Sequence, residues 1–415
     1  MYLIATHIPI YVDGDRTHVD DSWYSDLVLA RDFFAPRFGD VTVIGPARPL
    51  ADASATVSEV GPSITDSLRL VPSVDERTRT RDWPKVAGRW RADLAPLVRE
   101  AQVVHASVDD PFRAMQLAAL RAAFAAGKPT VLIGFDMDVW DTLEAQLAQM
   151  RRLSGALHVA RVVGMDGWMR YAVRRASVAM LKEGLVYDRY ARLARNAKAF
   201  CHSMHSEKHV VDDATFEERV RSLRTGRPLR LGYFGRFVER KGLADAIRIL
   251  AAARARGVEA SFDLLGWGPQ EKELQQLARE LGVGSQVRFL GSVAYGPELH
   301  AKLRGYDALL FTPTEEDTPR MVYDAFAAGL PLITTDIAFL RRRAETDRAS
   351  VLFGIGDVEA GAAALQRLHE DRERLVELAR RAREAGRYHT IEHWYGRRLE
   401  WTVEAVEQHA RRSAR

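Results

Sequence analysis

The chain has 415 residues, of which 47% are hydrophobic and 28% are charged. Its length predicts two or three domains, since a domain averages about 150 residues, and its composition excludes a disordered or fibrous protein. The net charge of +4 is small for this size, so it neither requires a nucleic-acid partner nor forbids an anionic membrane surface. Cys201 is the only cysteine, which excludes an internal disulfide and fits a reducing compartment.

The first residues show no targeting signal. The stretch 1–9 has no positively charged n-region and no cleavage site of small residues, which argues against a signal peptide. No window holds about 18 consecutive apolar residues, as a spanning helix requires. The expected location is therefore the cytoplasm.

Short β-branched runs alternate with helical stretches along the whole chain. This alternation predicts parallel sheets that are covered by helices on both faces. The predicted strands are 3–5, 41–44, 103–105, 131–133, 229–234, 261–265, 287–290, 308–311, 332–334 and 351–352. Apolar residues at three- and four-residue spacing predict helices over 244–256 and 270–281.

The alternating pattern occurs twice, with a change of character near the middle. Residues 206–228 are polar and charged and end in Gly226-Arg227-Pro228, which predicts a linker between two α/β domains. The predicted domains are therefore 1–205 and 229–389. The tail, from about residue 388, reads as a charged amphipathic helix. Its residues available for burial are Trp394, Leu399, Trp401, Val403 and Val406.

The loop after the strand at 229–234 combines a glycine with two cations. Gly235 turns the chain, and Arg236 and Lys241 precede a helix that begins after Gly242. Glycine permits close approach of the backbone, and ligands of parallel sheets bind outside the carboxyl ends of the strands. Two cations beside a helix N-terminus suit a diphosphate. The alternative interpretation is a solvated basic loop.

A second glycine-containing turn, Gly266-Trp267-Gly268-Pro269, follows the next strand. It lacks the third glycine of the dinucleotide fingerprint, so a nicotinamide cofactor is not indicated. Trp267 and Pro269 are expected to form a tight turn from strand to helix. Gly266 and Gly268 leave room for a nucleotide.

The third segment runs over residues 314–331 and carries two acids. Pro319 suits the first turn of a helix, which places Glu316 in the preceding loop and Asp324 more than a turn into the helix. Two carboxylates at different depths can accept hydrogen bonds from two sets of hydroxyls, such as those of a sugar and a ribose. The N–H groups after Pro319 could face a phosphate. The alternative is that the acids are partners of the helix dipole.

Together these segments resemble the retaining, nucleotide-sugar-dependent glycosyltransferases of group 1, a family that includes sucrose synthases and many bacterial polysaccharide and lipid glycosyltransferases. The match is the order Gly-Arg-x4-Lys-Gly, Gly-x-Gly-Pro, Val-x-Phe-x-Gly, Glu-x7-acid and Gly-x-Pro over about residues 229–355. The first domain matches only in layout. The resemblance implies an α/β protein of the GT-B fold, with two Rossmann-like parallel-sheet domains that face a cleft. It also implies that the helix at 390–415 packs back on the N-terminal domain.

The resemblance implies a role for each segment. Arg236 and Lys241 would hold the donor diphosphate and stabilise it as it leaves, while Glu316 would bind hydroxyls of the donor sugar. Asp324 would hold the ribose, where the family usually has the longer glutamate. The base would stack near residues 287–291. The full set of predicted donor-binding residues is Gly235, Gly266, Gly268, Val287, Asp317, Met321 and Asp324.

The acceptor side of the first domain departs from the family in two places. The loop after the first strand holds one glycine, Gly14, where the family often has a pair. Asp136 stands where many members have a histidine, and it is expected either to orient the acceptor or stabilise charge, or to be a loop or N-cap carboxylate. His105 ends another strand and is the third candidate, with a structural histidine as its alternative.

A rival motif lies near the C-terminus, where His389 to His393 match the His-x-x-Glu-His pattern of zinc peptidases. On a helix the two histidines share a face, but a third ligand would have to come from elsewhere. Because the segment is also the expected closing helix, zinc catalysis is disfavoured. No bound metal and no cofactor are expected, apart from the nucleoside-diphosphate sugar as donor substrate.

Residues 150–182 hold seven lysines and arginines against one acid, Asp166, with apolar residues interleaved. Such a surface can bind anionic lipid headgroups, which predicts peripheral contact with the inner face of a membrane. The alternative is a helix packed on the sheet with solvated arginines. The cluster Arg341-Arg342-Arg343 is likewise expected to be a solvated turn.

The sequence as a whole predicts a cytoplasmic enzyme that moves a sugar from a nucleoside diphosphate to an acceptor hydroxyl with retention. The acceptor would be a glycan, a lipid-linked sugar or a small molecule, and no nucleic acid is expected. The alternatives are a sugar-nucleotide epimerase or a phosphorylase on the same fold, and a non-catalytic nucleotide-sugar-binding relative.

Overall fold

The computed structural model describes residues 1–53, 56–60, 67–74, 83–108, 114–134 and 152–414. The chain divides into two compact units. Unit 1 consists of Met1–Cys201 with Trp394–Arg415, and unit 2 consists of His202–His393. None of the described helices is both long enough and apolar enough to cross a membrane.

Unit 1 is built on one mixed sheet. Its strands are β1 (Tyr2–Ala5), β2 (Ile10–Asp13), β3 (Arg16–Asp20), β4 (Val41–Pro49), β5 (Val57–Glu59), β6 (Leu68–Ser73), β7 (Val103–Ser107), β8 (Thr130–Gly134), β9 (Val178–Lys182) and β10 (Ala197–Phe200). Its helices are α1 (Asp21–Phe38), α2 (Trp83–Glu100), α3 (Ala114–Ala125), α4 (Arg152–Arg175) and α5 (Leu185–Tyr190).

The strand order among the described residues of unit 1 is β10-β9-β8-β7-β1-β4-β2-β3-β5, and β6 also pairs with β4. All pairs are parallel except those of β3, which runs antiparallel to β2 and β5. Every residue of β8 is buried, as expected for a parallel strand that is covered on both faces.

Unit 2 contains the second sheet. Its strands are β11 (Leu229–Arg236), β12 (Ala260–Trp267), β13 (Val287–Phe289), β14 (Ala308–Phe311), β15 (Leu332–Thr335) and β16 (Ser350–Phe353). Its helices are α6 (Asp213–Arg224), α7 (Leu243–Ala255), α8 (Glu271–Glu280), α9 (Pro297–Leu303), α10 (Met321–Ala327), α11 (Ala338–Asp347), α12 (Val358–Glu370) and α13 (Arg372–Tyr388).

The sheet of unit 2 is parallel throughout, with the order β13-β12-β11-β14-β15-β16. The direction of winding reverses between β11 and β14, and in such doubly wound sheets ligands bind in the crevice outside the carboxyl ends of the strands at this switch point. Helix α7 buries Leu243, Ala246, Ile247 and Leu250, whose spacing of three and four residues forms one apolar face.

Residues 206–228 do not form the predicted linker. They contain helix α6, which buries Phe216, Val220 and Leu223 within unit 2. The buried guanidinium of Arg219 donates hydrogen bonds to the carbonyl oxygens of Ala328 and Gly329 at 2.8 and 2.9 Å. The polar surface residues of a short amphipathic helix therefore account for the composition that suggested a linker.

The tail forms helix α14 (Ile391–Ser413), and its residues from Trp394 onward belong to unit 1. Of the residues predicted for burial, Trp394 and Trp401 are buried and the other three are half-buried. The hydroxyl of Tyr395 donates to the Asp26 carbonyl oxygen in α1 at 3.2 Å. This helix thus completes the helical layer of unit 1.

Candidate functional site

The three segments singled out in the sequence leave the same edge of the unit 2 sheet. They follow β11, β12 and β14, which are parallel and adjacent in the order β12-β11-β14. Their carboxyl ends therefore lie side by side at the topological switch point. The structure thus brings the predicted cations and the predicted acids to one end of one unit.

The glycines of the first two segments allow the β11 and β12 loops to touch. A Cβ on Gly266 would lie 1.8 Å from the carbonyl oxygen of Gly235, and one on Gly268 would lie 2.2 Å from that of Phe237. Gly235 and Gly266 also have positive φ angles of 147° and 148°. Backbone packing therefore requires glycine at 266 and 268, and a role of these residues in donor binding stays a prediction.

Lys241 links the first segment to the third. Its ammonium forms an ion pair with Oδ2 of Asp317, and the guanidinium of Arg240 lies 2.9 Å from the same oxygen. The Lys241 side chain is only 11% exposed and that of Asp317 only 17%. Lys241 precedes Gly242, whose left-handed conformation ends a short 3-10 turn over Glu239–Lys241. Arg240 is a cation of this site that was not among the predicted residues.

The protonation of this ion pair follows from its burial. Burial lowers the pKa of Lys241, and the carboxylate of Asp317 opposes that shift. Burial alone would raise the pKa of Asp317, but Lys241 and Arg240 hold that pKa below its ordinary value. The backbone N–H of Thr318 adds a hydrogen bond to Oδ1 of Asp317 at 2.9 Å. The pair therefore carries opposite charges that largely cancel.

Arg236 is exposed at the end of β11. Its guanidinium lies 5.7 Å from the ring centroid of Trp267, within the range of a cation–π contact. Trp267 is 59% exposed, and it lies at the end of β12 rather than within the tight turn expected from the sequence. An arginine held over an aromatic ring keeps its positive charge available at the sheet edge.

Glu316 lies at the start of another helix. Its Oε1 accepts a hydrogen bond of 2.6 Å from the backbone N–H of Ala338, the first residue of α11. A carboxylate in this place satisfies a free helix donor and complements the helix dipole. The helix-dipole interpretation of Glu316 holds, but the helix concerned is α11 rather than the one that follows Glu316. Binding of the donor sugar by Glu316 stays a prediction.

Asp324 is buried in α10, with 4% of its surface exposed. The hydroxyl of Tyr295 donates to its Oδ1 at 3.0 Å, and Nε2 of His300 lies 3.9 Å from the same oxygen. Burial raises the pKa of Asp324 to about 7, against the opposing effects of Tyr295 and Arg320. A tyrosine hydroxyl thus donates to the carboxylate that is predicted to accept from a ribose. Tyr295 comes from the loop after β13 and was not among the predicted residues.

Two of the N–H groups that follow Pro319 are engaged within the first turn of α10. The N–H of Val322 donates to the carbonyl oxygen of Pro319 at 3.2 Å, and that of Tyr323 to the carbonyl oxygen of Arg320 at 3.0 Å. They are engaged because the first turn of α10 is tight. Met321 opens this helix with a buried side chain. Val287 is likewise a core residue of β13 rather than an exposed contact. Binding of a phosphate by the N–H groups of Arg320 and Met321 stays a prediction.

The three acceptor-side candidates of unit 1 have different outcomes in the structure. Asp136 lies outside the described residues. Gly14, with a φ of 58°, occupies the turn of the antiparallel β2–β3 hairpin, a position that explains the glycine by itself. His105 sits within β7, where its Nδ1 lies 2.9 Å from the hydroxyl of Tyr2, and burial lowers its pKa to about 3. This is the geometry of a structural histidine, the alternative left open by the sequence.

The His-x-x-Glu-His segment spans a helix boundary. Helix α13 ends at Tyr388, and α14 begins at Ile391, so the two histidines do not share one helix face. Nε2 of His389 lies 3.1 Å from Oδ1 of Asp347 and 3.2 Å from a nitrogen of Arg343. Within the described part of the chain, no group of three or more His, Cys, Asp or Glu side chains is arranged to hold a metal ion.

The match to a known family lies in unit 2. Residues 215–388 match the model of the family "Glycosyl transferases group 1". The chain is 31% identical over 150 residues to the lipopolysaccharide core biosynthesis glycosyltransferase LpsE of Rhizobium meliloti. It is 32% identical over 177 residues to the glycogen synthase of Mycobacterium tuberculosis. These alignments cover 36% and 43% of this chain, and 42% of each relative, so the chain spans about two fifths of the relatives' length.

Solved structures resemble the chain over nearly its whole length. HepE of Anabaena in complex with UDP has a TM-score of 0.64 and 15% identity, covering 97% of this chain and 99% of that one. Sucrose-phosphate synthase from Thermosynechococcus elongatus has a TM-score of 0.63 and 16% identity, covering 98% and 99%. At this identity the likeness shows the fold alone. It confirms the predicted class, the GT-B fold with two Rossmann-like units.

Proposed function

We propose, from the match of residues 215–388 to the glycosyl transferases group 1 family, that the protein is a retaining glycosyltransferase. It would move a sugar from a nucleoside-diphosphate sugar to an acceptor hydroxyl. The names of its relatives refer to lipopolysaccharide core biosynthesis and glycogen synthesis. We therefore assign it to the biosynthesis of a polysaccharide, glycolipid or other glycoconjugate.

One observation carries this proposal: the ion pair between Lys241 and Asp317 at the switch point of the unit 2 sheet. It shows that the loop after β11 and the loop after β14 meet. The predicted diphosphate ligands, Arg236 and Lys241, and the predicted sugar and ribose ligands are carried by these two segments. A nucleoside-diphosphate sugar presents a diphosphate between a sugar and a ribose, which is the order of groups that this arrangement suits.

The proposed chemistry is electrostatic. The bond between the anomeric carbon and the phosphate oxygen breaks, and a bond to the acceptor oxygen forms on the same face of the sugar. Negative charge develops on the departing diphosphate, where fixed cations lower the barrier. These cations are Arg236, Arg240 and Lys241. The acceptor proton goes to the departing phosphate, so no protein base is assigned.

The donor is tested first by ligand-induced thermal shifts. UDP is present in the HepE structure, so UDP-glucose is the first probe, followed by GDP-, ADP-, CDP- and TDP-sugars. With a bound donor in hand, we expect release of free nucleoside diphosphate only when an acceptor is present. Release that does not depend on an acceptor hydroxyl would contradict a transferase, and interconversion of the sugar without release would indicate an epimerase.

A second candidate, a nucleotide-sugar-binding protein without turnover, is favoured by the state of the two acids. Glu316 caps α11 and Asp324 accepts from Tyr295, so both carboxylates have partners in the unliganded chain. Donor binding without turnover, over a broad panel of glycan, lipid-linked and small-molecule acceptors, would support this candidate. Turnover with any acceptor would exclude it.

Contact with a membrane surface through residues 150–182 remains a separate proposal. The apolar residues Val162, Met169 and Val173 of α4 are buried in unit 1, which accords with the packed-helix alternative. Arg174 and Arg175 are exposed at its end. Binding would therefore depend on charge, and we expect any association with vesicles of anionic lipid to be lost at high salt.

A further inference from the structure

We propose that Asp317 is a built-in counter-anion of the cation site, which competes with the donor diphosphate for Lys241 and Arg240. The inference rests on the proposed function and concerns how tightly the same site holds its donor and its product. It assigns Asp317 a positioning and affinity-setting role through its carboxylate, whereas the sequence predicts only that its backbone region helps to bind the donor.

The carboxylate is held on both of its oxygens. Oδ2 contacts the ammonium of Lys241 and the guanidinium of Arg240, and Oδ1 accepts from the N–H of Thr318 at 2.9 Å. Both side chains of the Lys241–Asp317 pair are largely buried. A carboxylate fixed in this way occupies the place beside the two cations that a phosphate oxygen would take.

Two electrostatic effects of Asp317 act in the same direction. Its negative charge repels an incoming diphosphate, and charges interact more strongly where they are partly removed from water. It also offsets one of the two positive charges of Lys241 and Arg240, so the empty site gains less from an added anion. Removal of the charge should therefore strengthen anion binding through both effects.

Removal of the Asp317 charge also takes away a contact that orders the Lys241 side chain, which would weaken anion binding. This opposing effect is smaller than the electrostatic gain. The Lys241 side chain is packed within the fold, and its ammonium also lies 5.3 Å from the ring centroid of Phe311. The lysine is therefore held in place when Asp317 loses its charge. Weaker binding of the diphosphate favours turnover, because the nucleoside diphosphate product must dissociate from the same cations.

The test measures binding of inorganic pyrophosphate to the full chain by calorimetry. We expect Asp317→Asn to bind pyrophosphate at least about fivefold more tightly than wild type, since a like charge within a few ångströms is removed. Asp317→Glu, which keeps the charge, should bind like wild type. In a Lys241→Met background the gain from Asp317→Asn should shrink, because Lys241 is one of the two cations that the carboxylate contacts.

Glu373→Gln is the matched control. It also removes one negative charge, but from a surface ion pair with Arg224. An equal gain in this control would overturn the proposal, because the effect would then come from net charge. Pyrophosphate binding by Asp317→Asn that equals or is weaker than that of wild type would overturn it as well. If thermal unfolding of Asp317→Asn shows a folding defect, Asp317→Ser replaces it in this comparison. If wild type and Asp317→Asn both fail to bind pyrophosphate, the proposed diphosphate site itself is wrong.

Discussion

Asp324 has a buried carboxyl group with a pKa near neutrality, so the stability of the folded chain depends on pH through this residue. Burial raises its pKa to about 7 in the folded chain, from an ordinary value of 3.8. Between these values the folded state holds a proton that the unfolded state has lost. The contribution of Asp324 to stability is therefore present at low pH and is lost as the pH rises from about 4 to about 7.

We predict that Asp324→Asn removes this pH dependence, since the amide oxygen can still accept from Tyr295 and carries no charge. The variant should gain thermal stability relative to wild type as the pH is raised from about 4 to about 8. Thermal unfolding of both proteins across this range measures the difference. A constant difference in melting temperature would contradict the assignment of a raised pKa to Asp324.

The cations Lys241 and Arg236 are expected to act on the leaving diphosphate rather than on folding. We predict that Lys241→Ala or Arg236→Ala reduces turnover by at least about 100-fold, the scale of losing one fixed charge partner in a transition state. Steady-state kinetics with the donor identified by thermal shift provides the measurement.

Matched controls for these two variants are Lys302→Ala and Arg248→Ala, which break surface pairs with Glu298 and Asp245. Both controls should keep wild-type turnover. Near-normal rates in both Lys241→Ala and Arg236→Ala would contradict binding of the diphosphate by these two residues.

The sequence could place single residues only where the chain order itself fixed them. Lys241 and Asp324 follow parallel strands, so their arrival at one sheet edge was predictable. The contact of Tyr295 with Asp324 was not, because it depends on the path of the loop after β13. Arg343 shows the same limit: expected in a solvated turn, it is buried beside Asp347, 3.4 Å away, and His389.

At the scale of elements, the strands that the sequence predicts are β1, β4, β7 and β8 at the centre of the first sheet and all six strands of the second sheet. Central strands such as β8 carry continuous apolar runs, because both of their faces are buried. Among the described strands that were not predicted, β6, β9 and β10 pair in parallel, whereas β2, β3 and β5 form an edge with antiparallel pairs, where β3 (Arg16–Asp20) buries only Val19. Such a strand is held by pairing with its neighbours, so its own residues carry little signal. The amphipathic helix α6 was missed for a related reason, since its charged surface outweighs three buried apolar residues.

The junction between the β11 loop and helix α7 depends on Gly242. This residue has a φ of 66°, and a Cβ on it would lie 1.7 Å from the carbonyl oxygen of Thr312. Gly257, after the end of α7, also has a positive φ, of 86°, but nothing lies within 4 Å of its Cβ position. Alanine at position 257 would therefore introduce backbone strain alone, whereas alanine at position 242 would also collide with Thr312.

We predict that Gly242→Ala destabilises the protein by about 1–2 kcal/mol more than Gly257→Ala, because the loops after β11 and β14 must move apart. Urea denaturation of both variants measures the free energies of unfolding. Gly242→Ala should also weaken donor binding, since it displaces Lys241, whereas Gly257→Ala should not. Equal losses in the two variants would show that the contact with Thr312 is relaxed at no cost.

At the scale of the whole molecule, the chain crosses from unit 1 to unit 2 and returns for its last helix. Residues 394–415 are far from residues 1–201 in sequence, yet they belong to the same unit. The hydrogen bond of Tyr395 to Asp26 and the 5.8 Å contact of its ring with Phe33 attach α14 to α1. Stability of unit 1 should therefore depend on residues at the opposite end of the chain.

Trp401 tests this dependence, since it is buried in the α14 face of unit 1 and its ring lies 6.5 Å from that of Trp394. We predict that Trp401→Ala destabilises unit 1 by about 3 kcal/mol, the usual cost of emptying a buried aromatic site. Hydrogen exchange should then rise in residues 1–201 and 394–415 and stay near wild type over 202–393. Glu404→Ala, an exposed change on the same helix, should alter neither. Faster exchange spread equally over 202–393 would show that α14 stabilises both units, and the assignment of this helix to unit 1 would fail.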